Sequence, residues 1–110
     1  MNTRSYAVME AKKPLVPFQF DRREVGAHDV ALEIAYAGIC HSDIHQAREE
    51  WGPAIFPMVP GHEIAGTVTA IGSGVTKFKV GDRIGVGVFV DSCRTCENCV
   101  QGLQQYCLEG

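Results

Sequence analysis

Four of the five cysteines in this 110-residue chain fall between Cys93 and Cys107, as Cys93, Cys96, Cys99 and Cys107, a C-x2-C-x2-C-x7-C spacing. Two-residue gaps let one tight loop turn successive sulfurs toward a common point, and the segment 100–106 can bring the fourth back over it. A Zn²⁺ ion takes four thiolates tetrahedrally at about 2.3 Å, so this pattern favours a closed, structural zinc lobe over about residues 91–108. Two disulfides, an iron–sulfur site and ordinary buried cysteines are the competing readings. Thiols this crowded, in a chain whose start (Met1-Asn2-Thr3-Arg4-Ser5-Tyr6) carries no apolar secretion core, argue against disulfides, and the spacing is unusual for a cluster.

The fifth cysteine stands apart, in Gly38-Ile39-Cys40-His41-Ser42-Asp43-Ile44-His45, and a second chemical stretch follows at Pro60-Gly61-His62-Glu63. Alone, Cys40 reads as a core cysteine and His62 as a structural histidine. Together they offer the thiolate and imidazole of a catalytic zinc, with acid–base groups nearby and one ligand missing. A metalloprotease is excluded, because His62-Glu63-Ile64-Ala65-Gly66 lacks the second histidine of H-E-x-x-H. Gly72-Ser73-Gly74 has no further glycine at the dinucleotide offset and no Gly-Lys-Ser/Thr occurs, so no nucleotide cradle lies in this stretch of chain.

The elements that must hold these residues read as strands. Residues 5–9 and, beyond Pro14, 15–20 are short candidates, the second suited to an edge by Pro17. Residues 29–37 alternate, with Val30, Leu32, Ile34 and Tyr36 on one side, which predicts a strand with one buried face. A short helix is expected over 42–49, begun by Ser42 or Asp43. The three prolines between Trp51 and Pro60 predict a loop, and 64–71 and 83–90 predict two further strands joined by glycine turns and a crossover at 75–80. Short strands at this spacing suggest a small barrel. With 45% hydrophobic and 21% charged residues and a net charge of −3, the composition is that of one globular domain without the basic footprint of a nucleic-acid binder. No apolar run approaches membrane length, and thiols in metal-ligand spacing fit a reducing cytoplasm.

These stretches, taken with Val59-Pro60-Gly61-His62-Glu63-Ile64-Ala65-Gly66, with Val75-x2-Phe78-x2-Gly81-Asp82-Arg83 and with Gly102-Leu103-Gln104-Gln105-Tyr106-Cys107, resemble the amino-terminal part of the zinc-dependent medium-chain alcohol dehydrogenases, cinnamyl alcohol dehydrogenase group. The resemblance implies a mainly β fold: an incomplete GroES-like β-barrel with short helices and the four-cysteine zinc lobe, over residues 1–110, with the Rossmann domain absent. It implies Cys40 and His62 as ligands of a catalytic zinc, Glu63 behind it or as an occasional ligand, Ser42 against the alcohol oxygen, and His45 as the group that carries the proton onward. His41, where some relatives have arginine, would lie near the cofactor pyrophosphate, and Trp51 would wall the substrate pocket. Without that context Ser42 is a helix N-cap, His45 a surface histidine and Trp51 loop packing. The implied parent is a cytoplasmic, homo-oligomeric enzyme that interconverts primary alcohols and aldehydes with NADP(H), without nucleic acid or membrane as partner, and this chain alone is expected to be inactive. A free-standing structural zinc module is the alternative, and a thiol redox switch a third reading.

Overall fold

In the computed structural model, which describes residues 1–109, five strands make two separate antiparallel sheets. The first pairs β1 (Asn2–Ala7) with β2 (Val16–Asp21), from Asn2 opposite Asp21 to Ala7 opposite Val16. A two-stranded sheet leaves both strands at an edge, which is where Pro17, having no N–H to donate, is tolerated. The second sheet runs in the order β3 (Val30–Ala37), β4 (Ile64–Ile71), β5 (Arg83–Val86). Between β3 and β4 lie the seven-residue helix α1 (His41–Ala47) and the proline loop, and the chain ends in a lobe with a four-residue helix α2 (Glu97–Val100) and a 3₁₀ turn at Gln104–Tyr106. The fold is mainly β and the barrel is incomplete, as expected: among the described residues no ladder joins the two sheets, and a cavity of about 680 Å³ lined by Phe18, Phe20, Leu32, Ile34 and Ile64 lies between them.

Several boundaries differ from the sequence expectation, each for a physical reason. The first strand begins at Asn2 because β2 continues to Asp21 opposite it, and it ends at Ala7, opposite the first residue of β2; Val8 instead exchanges both backbone hydrogen bonds with Met58, at 2.8 and 2.9 Å, and so pins the proline loop. The last strand stops at Val86 because Val86 faces Ile64, the first residue of β4, and residues 87–90 have no strand left to pair with. Cys40, not Ser42 or Asp43, is the N-cap of α1, which places Ser42 inside the first turn, and the helix ends at Ala47. The single buried face expected of β3 does not form. Register shifts between Ala31 and Leu32 and between Ile34 and Tyr36 break the alternation, leaving Ile34 and Tyr36 54% and 78% exposed. Burial concentrates instead at Ala7, Val8, Val68 and Cys99. Val68 is locked on both backbone sides, donating to Asp82 O at 2.8 Å and accepting from Gly81 N at 2.9 Å, so the crossover segment folds back over β4. Among the described residues no helix is long and apolar enough to cross a membrane.

Strand β4 carries the sheet that positions the chemical residues, and Gly66 sets how closely it approaches β3. A Cβ at Gly66 would stand 2.2 Å from the carbonyl oxygen of Glu33, a backbone atom that cannot swing aside. Gly66→Ala is therefore expected to push β3 and β4 apart and destabilise the chain by about 1–3 kcal/mol, the usual cost of overpacking. Urea unfolding followed by circular dichroism measures it, and an unshifted midpoint would contradict the β3–β4 register.

Candidate active site and metal centre

Cys40 leaves the end of β3 in an extended conformation (φ −111°, ψ 152°) and turns directly into α1. His62 and Glu63 approach from the other side, immediately ahead of β4. Two contacts join these segments. Gly38 N donates to Glu63 O at 2.7 Å, and Gly38 lacks a Cβ where one would stand 2.7 Å from a Glu63 carboxylate oxygen. Asp43 spans the rest of the gap. One of its oxygens accepts the Cys40 N–H at 3.1 Å, the returning half of a capping box, and the other lies 3.0 Å from His62 Nδ1. A carboxylate on one imidazole nitrogen fixes the ring and leaves the other nitrogen for a metal or a proton.

The ligand atoms of Cys40, His62 and Glu63 all lie within 4.8 Å of one another. The Cys40 thiol is pulled below its ordinary range by the Ser42 backbone N–H first, then by the Ser42 hydroxyl and by His62. Its Sγ and Ser42 Oγ are 3.6 Å apart. The His62 imidazole is raised by its hydrogen bond to Cys40 and, more weakly, by the Asp43 charge, against a partial loss of hydration. A thiolate, an imidazole and a carboxylate converging from two segments form a three-donor set with one tetrahedral position open, and so fit a catalytic zinc.

His45 and Trp51 are not part of this three-donor set. On α1, His41 and His45 are one turn apart with ring centroids separated by 6.0 Å, and Trp51 returns from the following turn to lie 5.0 Å from the His45 ring. His45 Nδ1 is 3.1 Å from Glu50 Oε1. Of the residues singled out in the sequence, the structure thus gathers Cys40, His62 and Glu63 with Ser42 beside them, and arranges His41, His45 and Trp51 as a row of rings. It adds Asp43 and Glu50. Asp43 had a detectable signal, an acid three residues after the N-cap; Glu50 had none, because only the turn after α1 brings it back.

The lobe is a separate unit. Cys93 Sγ and Cys99 Sγ are 3.8 Å apart, which matches the edge of a tetrahedron with bonds of about 2.3 Å. The four sulfurs all lie within 4.8 Å of one another, a span sized for a single ion, and among the described residues every cysteine is a free thiol. Backbone N–H groups point at the sulfurs, Thr95 and Cys96 at Cys93 (3.4 and 3.2 Å), Cys99 at Cys96 (3.4 Å) and Cys93 at Cys107 (3.4 Å). These donors favour thiolates. The Thr95 and Cys96 N–H groups hold Cys93 down to about 6, and those of Leu108 and Cys99 lower Cys96. Cys99 moves the other way: the Ser92 hydroxyl opposes the change, but burial and the neighbouring thiols Cys96 and Cys107 raise it. In the metal-free chain at pH 7, iodoacetamide should therefore alkylate Cys93 before Cys99, with the Cys93 rate falling as pH drops through about 6. Mass spectrometry of timed quenches reads the order, and equal rates at both sites would contradict the hydrogen-bonded geometry.

Residues 26–110 match the family described as the alcohol dehydrogenase GroES-like domain. Among curated proteins, NADP-dependent alcohol dehydrogenase C 1 of Mycolicibacterium smegmatis is 62% identical over 103 residues, covering 94% of this chain and 30% of that protein. The probable formaldehyde dehydrogenase of Bacillus subtilis is 56% identical over 108 residues, covering 98% of this chain and 31% of its own length. Among solved structures, a cinnamyl alcohol dehydrogenase (CAD) from Sorghum bicolor superposes with a TM-score of 0.94 at 49% identity, over 98% of this chain and 31% of that one. A CAD from Helicobacter pylori complexed with NADP(H) superposes at 0.93 and 48% identity, over 97% and 31%. The chain thus spans about a third of the length of the relatives it matches. A match over most of the sequence, with the same fold throughout, makes the chain a member of the alcohol dehydrogenase GroES-like domain family.

Proposed function

We propose that this chain is the amino-terminal part of a zinc-dependent oxidoreductase that interconverts primary alcohols and aldehydes with NADP(H). The convergence of Cys40, His62 and Glu63 within 4.8 Å, apart from the four-thiol lobe, is the observation that supports it. A closed set of four thiolates has no position left for a substrate, whereas a three-donor set has one. A module that used zinc only as a staple would have no need of the second set.

On this reading residues 1–110 belong to a GroES-like catalytic domain, with a zinc lobe at about 91–108 and the nicotinamide-binding domain elsewhere in the polypeptide. When bound, zinc supplies Lewis acidity toward the substrate oxygen, and NADP(H) supplies the hydride acceptor or donor. The chain's own residues do the rest. Cys40 and His62 hold the metal, with Asp43 keeping His62 Nδ1 occupied and Glu63 able to serve as a third donor or stand behind. Ser42, beside Cys40, accepts the proton of the alcohol oxygen into its hydrogen bond, and His45, one turn along α1, carries it toward solvent. His41 faces the cofactor pyrophosphate, and the flat Trp51 favours apolar or aryl alcohols. The NADP preference is supported by the relatives, one an NADP-dependent alcohol dehydrogenase and another a CAD complexed with NADP(H). A cytoplasmic setting is supported by five free thiols, and a homo-oligomer follows the group the sequence resembles.

Two measurements test this. The chain should retain one zinc firmly after dialysis against a mild chelator and lose a second easily, and it should show no alcohol oxidation with NADP. Cys96→Ser should release the firm zinc and Cys40→Ser only the labile one; loss of both from either variant would merge the two sites and defeat the assignment. In the dehydrogenase that carries this chain, Ser42→Ala should lower kcat within the range of about 10²–10⁴-fold typical of acid–base groups, and His45→Gln should lower it less. Negligible losses in both would remove the relay.

A further inference from the structure

We propose that Trp51 is a positioning residue for His45: its indole lies against one face of the imidazole while Glu50 holds the ring's Nδ1 edge, so that Nε2 keeps a fixed direction. This rests on the relay reading of His45 given above.

The turn after α1 is built to deliver both groups. Glu49 adopts a left-handed conformation (φ 54°), uncommon for a residue with a side chain and kept only where the surroundings hold it. Here they do: Glu49 N donates to Gln46 O at 3.2 Å, Glu50 N to His45 O at 2.9 Å, and the Glu49 carboxylate accepts Ala54 N at 3.0 Å. The chain reverses over the end of α1 and sets two consecutive side chains on His45. Glu50 Oε1 lies 3.1 Å from Nδ1, with Arg48 Nε 3.8 Å from the same oxygen. The indole and imidazole planes are 29° apart with centroids at 5.0 Å, within the range of about 4.5–7 Å at which aromatic rings attract. Tilting the imidazole out of its plane would break the edge contact and the face contact together, and flipping it would lose the Glu50 contact.

The two contacts are complementary in charge. The Glu50 contact strengthens when the imidazole is protonated. The indole face, with its negative quadrupole, attracts the ring as a stacked neutral partner and as a cation. A proton carrier held in both states does not have to reorient between taking up its proton and passing it on. This also accounts for an indole that is 65% exposed on a surface turn: the face it buries is the one against His45.

Trp51 is the only tryptophan among the 110 residues, so its fluorescence reports this contact directly. A protonated imidazole quenches a stacked indole. Acidification sufficient to protonate the imidazole should quench emission. His45→Gln should abolish the quench and His41→Gln should preserve it. No quench in the unaltered chain, or the same quench in His45→Gln, would overturn the contact. The positioning role is read by a double-mutant cycle in the dehydrogenase. Trp51→Leu should lower kcat about 10-fold, Trp51→Phe should restore most of it, and the Trp51→Leu loss should vanish in the His45→Gln background. A loss that persists undiminished in that background would show that Trp51 acts on the substrate alone, and would overturn the proposal. Undiminished turnover in His45→Gln itself would instead overturn the relay, a result recognisable because the quench in the unaltered chain would remain.

Discussion

Asp43 is the point on which the candidate site depends. Its two carboxylate oxygens bind two things that sequence keeps far apart, the Cys40 N–H at the start of α1 and the imidazole of His62 ahead of β4. The first contact decides where the helix begins, and therefore which way Cys40 and Ser42 face. The second decides which nitrogen of His62 is free. A single half-buried carboxylate thus sets the orientation of a thiol, a hydroxyl and an imidazole at once. The backbone bond from Gly38 to Glu63 closes the other side of the same junction, so the three donors arrive together only if β3 and β4 are in register.

How much of this was legible depends on whether the causes are local. The lobe was, because its four sulfurs are brought together by turns of two and seven residues and owe nothing to distant partners. Strand β4 was legible for the same reason: a run of β-branched residues with glycine turns beyond it has few alternatives, and its observed bounds are those expected. The helix start was misplaced because cysteine is not among the residues that ordinarily cap helices; only the tertiary demand on Asp43 makes Cys40 the cap. The end of the last strand was misplaced because nothing in residues 87–90 announces that β4 has run out of partners. The single buried face of β3 failed because bulges, which carry no strong sequence signature here, change the facing of residues along the strand. Asp43 and Glu50 needed the fold: one answers a histidine nineteen residues on, the other a histidine reached only after the chain reverses.

The sparse core bears on the same point. Among the described residues the buried hydrophobic side chains are Ala7, Val8, Val68 and Cys99, while Tyr36, Ile39, Val88, Val90 and Leu108 are largely exposed. Hydrophobic burial therefore contributes little to holding the site residues in place. Backbone pairing, the shared carboxylate and glycines that permit close approach carry most of that task, which is why the contacts that define the site are polar and directional.

The lobe's independence has a thermodynamic consequence. Among the described residues its two helical turns make their element contacts with each other and with no strand, and it is braced internally by Leu103 N to Asn98 O at 2.8 Å and by Asn98 Nδ2 to Tyr106 O at 2.8 Å. Closing it costs the entropy of one short loop, which metal binding can repay without help from either sheet. The Cys40 set has no such autonomy. Its donors exist as a set only when two strands have paired and a helix has been capped, so part of any metal's binding energy there goes into ordering the sheet. The two ions would then report different events: occupancy of the lobe measures a local closure, and occupancy of the Cys40 set measures the folding of the domain. By linkage, whatever steadies β3 against β4 would tighten the hold on a second ion and leave the first untouched.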